Sequence, residues 1–172
     1  MTRQAPIRAA LAASALAGLV SVAPGQPAEE GWRPFTATWT LSGQRDVLAT
    51  EGLRPASILH LSGPLTVTSR EGPGRGFLGE VIGFDDGGTL LVGRAVFEDE
   101  RGDKVFCTVK AQPIGSGRRV NAVITGGTGR FAGLEGDFSF VWQYVVEQES
   151  DQVSLRTADV EGRTRLRSGT PR

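Results

Sequence analysis

Ile124-Thr125-Gly126-Gly127-Thr128-Gly129-Arg130-Phe131-Ala132-Gly133-Leu134-Glu135-Gly136 is the stretch whose reading decides the fold. Alternating segments flank it: Val120-Asn121-Ala122-Val123-Ile124 before it, and Phe138-Ser139-Phe140-Val141-Trp142-Gln143-Tyr144-Val145-Val146 after it. Alternation with period two is the mark of a strand. Five glycines within Gly126 to Gly136 allow tight backbone approach and left-handed conformations. The stretch therefore predicts a shaped corner between two strands. Gly126-Gly127-Thr128-Gly129 is not expected to cradle a phosphate, because no helix signal follows it.

Working outward, the same strand pattern recurs along the chain, with no long helical period. Phe35 to Leu41 alternates apolar residues with threonine, and Pro34 suits a strand start. Ser42 to Pro55 is polar and turn-rich, and predicts a long loop with a short strand near Val47-Leu48-Ala49. Ser57–Ser62 and Leu65–Thr68 read as one long strand or two, with Gly63-Pro64 as bulge or break. Further strands are expected over 76–84, 89–98, 104–112, 118–125, 138–148 and 153–167, with hairpin signals at Asp85-Asp86-Gly87-Gly88 and Arg101-Gly102-Asp103. About eight strands on short connections predict an antiparallel meander, closed as a barrel or folded as a sandwich.

The N-terminus reads as an address. Arg3 and Arg8 precede an apolar, alanine-rich run from Ala9 to Val22, and small residues follow at Ser21, Ala23 and Gly25. That is a signal-peptide pattern, too short for a membrane span. The expected organisation is a signal peptide over 1–25 with cleavage within 23–28, a linker over 26–33, a barrel domain over 34–168 and a tail over 169–172. The mature protein is expected in the periplasm or outside the cell, with no membrane span.

The chain has 172 residues and a formal net charge of zero, which does not suggest a nucleic-acid partner. Its single cysteine, Cys107, cannot form an internal disulfide and reads as a small buried hydrophobe within Val105–Val109. One histidine and one cysteine cannot supply a zinc ligand set, and no calcium loop is present, so neither a metal nor a cofactor is expected.

Two segments resemble a known family. Leu91-Val92-Gly93-Arg94-Ala95 is similar to the VGRA segment of plant dirigent proteins, and Ile124 to Phe131 to their GGTGxF segment, in the same order and spacing. Gly126, Gly127, Gly129 and Phe131 carry the second motif. The wider group includes the allene oxide cyclases. The resemblance spans about Leu59 to Leu166 and implies an all-β fold: an eight-stranded antiparallel calycin-like barrel, following the signal peptide. The plant members of that group are often trimeric, and a homo-oligomer, dimer or trimer, is expected here. After the second motif this chain reads Ala132-Gly133-Leu134-Glu135-Gly136, without the arginine-bearing run typical of dirigent proteins, and the resemblance places their catalytic acids on no particular residue, so it leaves the activity open.

Candidate binding residues are polar or aromatic groups set inside strands: His60, Glu80, Arg94, Trp142, Gln143 and Tyr144. Glu80 shares a parity with Leu78, Ile82 and Phe84, and Arg94 with Leu90, Val92 and Val96. If those faces point inward, Glu80 and Arg94 are buried and must pair. The plainer reading is an exposed cross-strand pair outside the barrel. His60 is the only imidazole and hence the first acid–base candidate, beside its plainer reading as a hydrogen-bonded structural residue. The row Phe138, Phe140, Trp142, Tyr144 and Val146 reads first as core. If part of it lines a cavity, Trp142 and Tyr144 would stack on a flat apolar ligand. The other face of that strand is also largely apolar, so both sides are expected to be covered. The turn acids Asp85, Asp86, Asp99, Glu100 and Asp103 are expected to be solvated.

These features point to a secreted barrel that binds a small hydrophobic ligand or serves as a structural, oligomeric module, with no catalytic residue assigned. The alternative is a dirigent- or cyclase-like protein that guides isomerisation or cyclisation of a hydrophobic substrate without metal or nucleotide. A broad apolar patch on the exterior would imply assembly.

Overall fold

The computed structural model describes residues 31–49, 51–114, 117–147 and 152–167. The expected signal peptide and tail lie outside these residues. Eight strands follow in chain order: β1 (Arg33–Leu48), β2 (Ala56–Val67), β3 (Gly76–Asp85), β4 (Leu91–Glu98), β5 (Lys104–Ile114), β6 (Gly117–Gly127), β7 (Leu134–Glu147) and β8 (Gln152–Leu166). Each pairs antiparallel with its sequence neighbour, and β1 pairs with β8 to close the barrel. Closure leaves no strand edge to template aggregation.

Strand alternation sorts the side chains. On β3, Phe77, Gly79, Val81, Gly83 and Asp85 point inward, and Leu78, Glu80, Ile82 and Phe84 point outward. The same rule places Phe35, Ala37, Trp39 and Leu41 of β1 inside. Aromatic rings fill the barrel. Trp39 lies 5.0 Å from Phe97 and 5.7 Å from Phe140, centroid to centroid, and Phe138 lies 5.8 Å from Phe97 and 6.1 Å from Phe35. Such tilted and edge-on contacts are the favoured aromatic geometry.

Trp39 is seated by its backbone as much as by its ring. The β1–β8 register shifts between Ala37 and Trp39. The buried Thr157 hydroxyl repairs the ladder there: it accepts the Trp39 N–H at 3.0 Å and donates to the Trp39 carbonyl at 2.9 Å. The indole Nε1 donates to the Gly63 carbonyl at 3.0 Å. The ring then lies flat on Gly79, where a Cβ would come within 2.7 Å of it, so position 79 excludes any side chain.

Several expectations change. Ser42 to Leu48 is not a loop; β1 continues through it, paired with β2 throughout and with β8 as far as Gln44. Its polar residues Ser42, Gln44 and Asp46 occupy outward positions, so strand pairing overrides the turn-rich composition. β2 is one strand running through Gly63-Pro64. β7 begins at Leu134 rather than Phe138. Its outer face is not covered as expected: Asp137 and Gln143 are exposed there, and Ser139 and Val141 are half-buried.

Candidate functional site

The barrel interior is largely filled. Between Trp39, Leu41, Leu59, Phe140 and Trp142 a void of only about 10 Å³ remains. A second opening lies at the end of the barrel covered by the β2–β3 connection. Phe35, Leu65, Val67, Phe77, Phe97 and Phe138, with Pro73, Val105 and Ile124, line a cleft of about 30 Å³. All nine lining residues are apolar. The connection folds back onto the barrel because the Val67 N–H donates to the Arg75 carbonyl at 2.9 Å and the Thr68 N–H to Thr36 at 2.8 Å. This brings Pro73 into the lining of the cleft with Phe35 and Phe77.

The glycine corner stands at the same end. It contains a single 3-10 turn, Gly129–Phe131, that drops Phe131 into the core 5.5 Å from Phe77. Gly129 has φ +49°, and a Cβ there would run into the Asp103 carboxylate. That carboxylate accepts the Arg130 N–H at 3.2 Å. Arg130 in turn pairs with Asp99 at 2.5 Å, and Asp99 also accepts the Arg101 and Asp103 amides at 2.8 and 2.9 Å. Burial works to raise the Asp99 pKa, but those two amides and the Arg130 guanidinium outweigh it and hold the carboxyl below its ordinary value. Asp99 is therefore not the solvated turn acid that its position suggested. Its side chain is fully buried and ties the β4–β5 turn to the glycine corner.

Asp85 departs from expectation in the same way at the opposite end. It is 8% exposed and receives Arg118 Nη2 at 2.6 Å, while its other oxygen accepts the Gly87 N–H at 2.9 Å. Arg118 belongs to the inward row of β6 with Val120, Ala122 and Ile124. The pair thus bridges β3 and β6 at the barrel mouth. Nothing in the local sequence marked it, because the partners stand 33 residues apart.

The expected site residues do not converge. His60 and Glu80 meet, Nε2 to Oε1 at 2.7 Å, but on the outer wall, each more than half exposed. Glu80 and Arg94 are both exposed and do not pair with each other: Glu80 stands opposite Val96, and Arg94 opposite Ile82. Gln143 is also exposed on the outer wall. Among the described side chains of this set, only Trp142 points inward, buried beside Phe140. Tyr144 pairs through its backbone with Leu155, and its side chain lies outside the described residues. Cys107 is buried as expected, and burial pushes its thiol up to about 12, so it is protonated near neutral pH. Among the described residues no cluster of His, Cys, Asp and Glu forms a metal site.

What the sequence reading passed over is the outer wall of β2 to β6. Ile58, Leu78, Ile82, Phe84, Phe106 and Val123 are all exposed there. The signal was present: Leu78, Ile82 and Phe84 share the parity of Glu80, an exposed residue.

No protein-family model matches the chain, and no curated protein does. Among solved structures it is similar to the pterocarpan synthase dirigent proteins PsPTS1 and GePTS1. Both are 14% identical to it, with TM-scores of 0.44 and 0.46. The matches cover 82% and 87% of this chain and 99% and 100% of the others. The assignment as a closed eight-stranded barrel rests on this chain's own strand pairing.

Proposed function

We propose that this protein binds small apolar molecules, or the apolar end of a larger one, in the cleft beneath the β2–β3 connection. The observation that carries this reading is the wholly apolar lining of that cleft, at the one end of the barrel where Phe35, Phe77, Phe97 and Phe138 come together. As it stands the cleft, at about 30 Å³, has room for little more than a water-sized group. Drug-sized ligands occupy roughly 300 Å³ or more. Binding therefore requires the connection carrying Pro73 to lift, exposing the Phe35 and Phe77 rings. Any chemistry in such a site works by confinement and orientation, since none of its lining side chains can carry a proton.

The test is titration with an anilinonaphthalene fluorophore, followed by displacement with medium-chain fatty acids and flat aromatic hydrocarbons. Saturable binding to the wild type is expected, with at least tenfold weaker binding to Val67→Trp, which fills the mouth of the cleft from a half-buried position. Circular dichroism reports whether that variant keeps the barrel. No saturable binding to the wild type, or equal affinity in a folded Val67→Trp, overturns the proposal.

A further inference from the structure

The outer wall of β2 to β4 carries an apolar patch with charges set into it at definite places. Ile82 stands at its centre, with His60 beside it on β2 and Arg94 beside it on β4. Along β3, Glu80 and Phe84 lie two residues to either side of Ile82. Ile58 and Val92 flank Phe84 across the neighbouring strands. Ile58, Ile82 and Phe84 are 52%, 53% and 43% exposed, which is unusual for three large apolar neighbours on a sheet with open outer face. Arg94 makes no hydrogen bond or ion pair among the described residues, whereas Glu80 holds only His60 and keeps a carboxylate oxygen free for a second cation.

We infer that this face joins two copies of the chain about a two-fold axis that seats Ile82 on the partner's Ile82. The charge pattern selects a second copy as the occupant, because the patch is complementary to itself. Arg94 lies one strand across from Ile82, about 4.8 Å, and Glu80 lies two residues along, about 6.8 Å. An axis parallel to the sheet, passing above Ile82 midway between the two copies and along the diagonal between them, exchanges these two directions. It sets Arg94 over the partner's Glu80 and Glu80 over the partner's Arg94. The same operation turns Phe84 toward the partner's His60. Strands of the two copies then cross at nearly a right angle, one of the two favoured ways for sheets to pack face to face. A two-fold contact of this kind is isologous and closes at two subunits. Placing each unpaired arginine against a carboxylate also fixes the register, the role that interfacial charge fills best.

Sedimentation equilibrium and light scattering on the full chain test the inference. The wild type is expected to be a dimer that dissociates on dilution. Ile82→Asp is expected to be monomeric with an unchanged circular dichroism spectrum, since the position is exposed within one barrel. Arg94→Glu places like charges together and is expected to weaken dimerisation at least tenfold. The double exchange Glu80→Arg with Arg94→Glu restores the pairing across the axis and is expected to recover most of that loss. A wild type that is monomeric at every concentration overturns the inference and leaves the face to a different partner. So does a trimer, or a dimer that Ile82→Asp leaves intact. If both single exchanges weaken the dimer and the double exchange fails to recover it, the two-fold arrangement is wrong. None of these outcomes depends on ligand binding in the cleft, which lies at the end of the barrel.

Discussion

Strands β2 to β4 and strands β7, β8 and β1 follow the same rule on the inside of the barrel and opposite rules on the outside. Inward, both arcs present large apolar residues to one continuous core. Outward, β1 shows Thr36, Thr38, Thr40 and Ser42, all exposed. Beside it, β7 and β8 show a ladder of ion pairs: Asp137 to Arg163 at 3.2 Å, Glu135 to Arg165 at 3.1 Å, and Glu135 to Arg167. Trp32 packs on this ladder, its ring 4.6 Å from the Arg163 guanidinium and 4.5 Å from that of Arg165. The opposite arc puts Ile58, Ile82 and Phe84 into water. A barrel needs only one apolar face per strand to fold. The second apolar row on β3, joined by Ile58 of β2, therefore points to contact rather than to folding.

The largest effect that can break this comparison comes from the face both arcs share. Trp39→Ala removes a ring that is 1% exposed and touches Phe97, Phe140 and Gly79. It is expected to cost about 3–5 kcal/mol in urea denaturation. Removing the equally apolar Ile82 side chain is expected to change the unfolding free energy of a single barrel by less than about 0.5 kcal/mol. If Ile82→Ser on the isolated monomer proved as costly as a core truncation, the outer wall of β3 would be part of the folding core, and its apolar character would need no partner.

How much of this could be read from sequence follows from the same two arcs. Alternation and glycine spacing gave the strands, because a strand's period is local. They also gave the corner at Gly126 to Gly136. Alternation did not say which parity faces inward when both are apolar, as on β3. That choice is made by Trp39, which comes from a strand two positions away and occupies the space over Gly79. The polar residues Glu80 and Arg94 were the usable sign of the outer face, and the glycines at 79 and 83 were the usable sign of the inner one. The Asp85–Arg118 pair joins strands three apart across the barrel mouth, and the Asp99–Arg130 pair joins two turns set side by side by the pairing of β5 with β6, so no local pattern could have marked them. The β1 segment past Ser42 was hidden because its polar, turn-rich composition masks a strand that pairs with β2 along its whole length and with β8 as far as Gln44.

Acid provides a smaller effect that sharpens the comparison. Hydrogen bonds from Arg167 and Arg165 hold the Glu135 carboxyl below its ordinary pKa, and the Arg101 and Asp103 amides, with Arg130, do the same for Asp99 against the opposing effect of burial. A carboxyl whose folded pKa is depressed contributes stability above its unfolded pKa, near 4, and loses it as pH falls through the folded value. Urea midpoints measured from pH 7 down to pH 2 are therefore expected to fall on the acid side. Glu135→Gln and Asp99→Asn should each flatten that fall. An acid limb unchanged by both substitutions would mean that the β7–β8 ladder and the glycine corner are not linked to folding through these protons.

The smallest expected effect concerns a single rung of the polar wall. Asp137 and Arg163 face each other across β7 and β8 with about half of each side chain in water. Solvent screens such a pair, and holding two side chains in one geometry offsets part of its attraction. A double-mutant cycle with Asp137→Asn and Arg163→Gln is expected to give a coupling of about 0.2–1 kcal/mol that shrinks in 1 M salt. A coupling of several kcal/mol would mean that the rung is desolvated in the folded protein. The polar arc would then also be a covered surface, and the contrast between the two walls would fail.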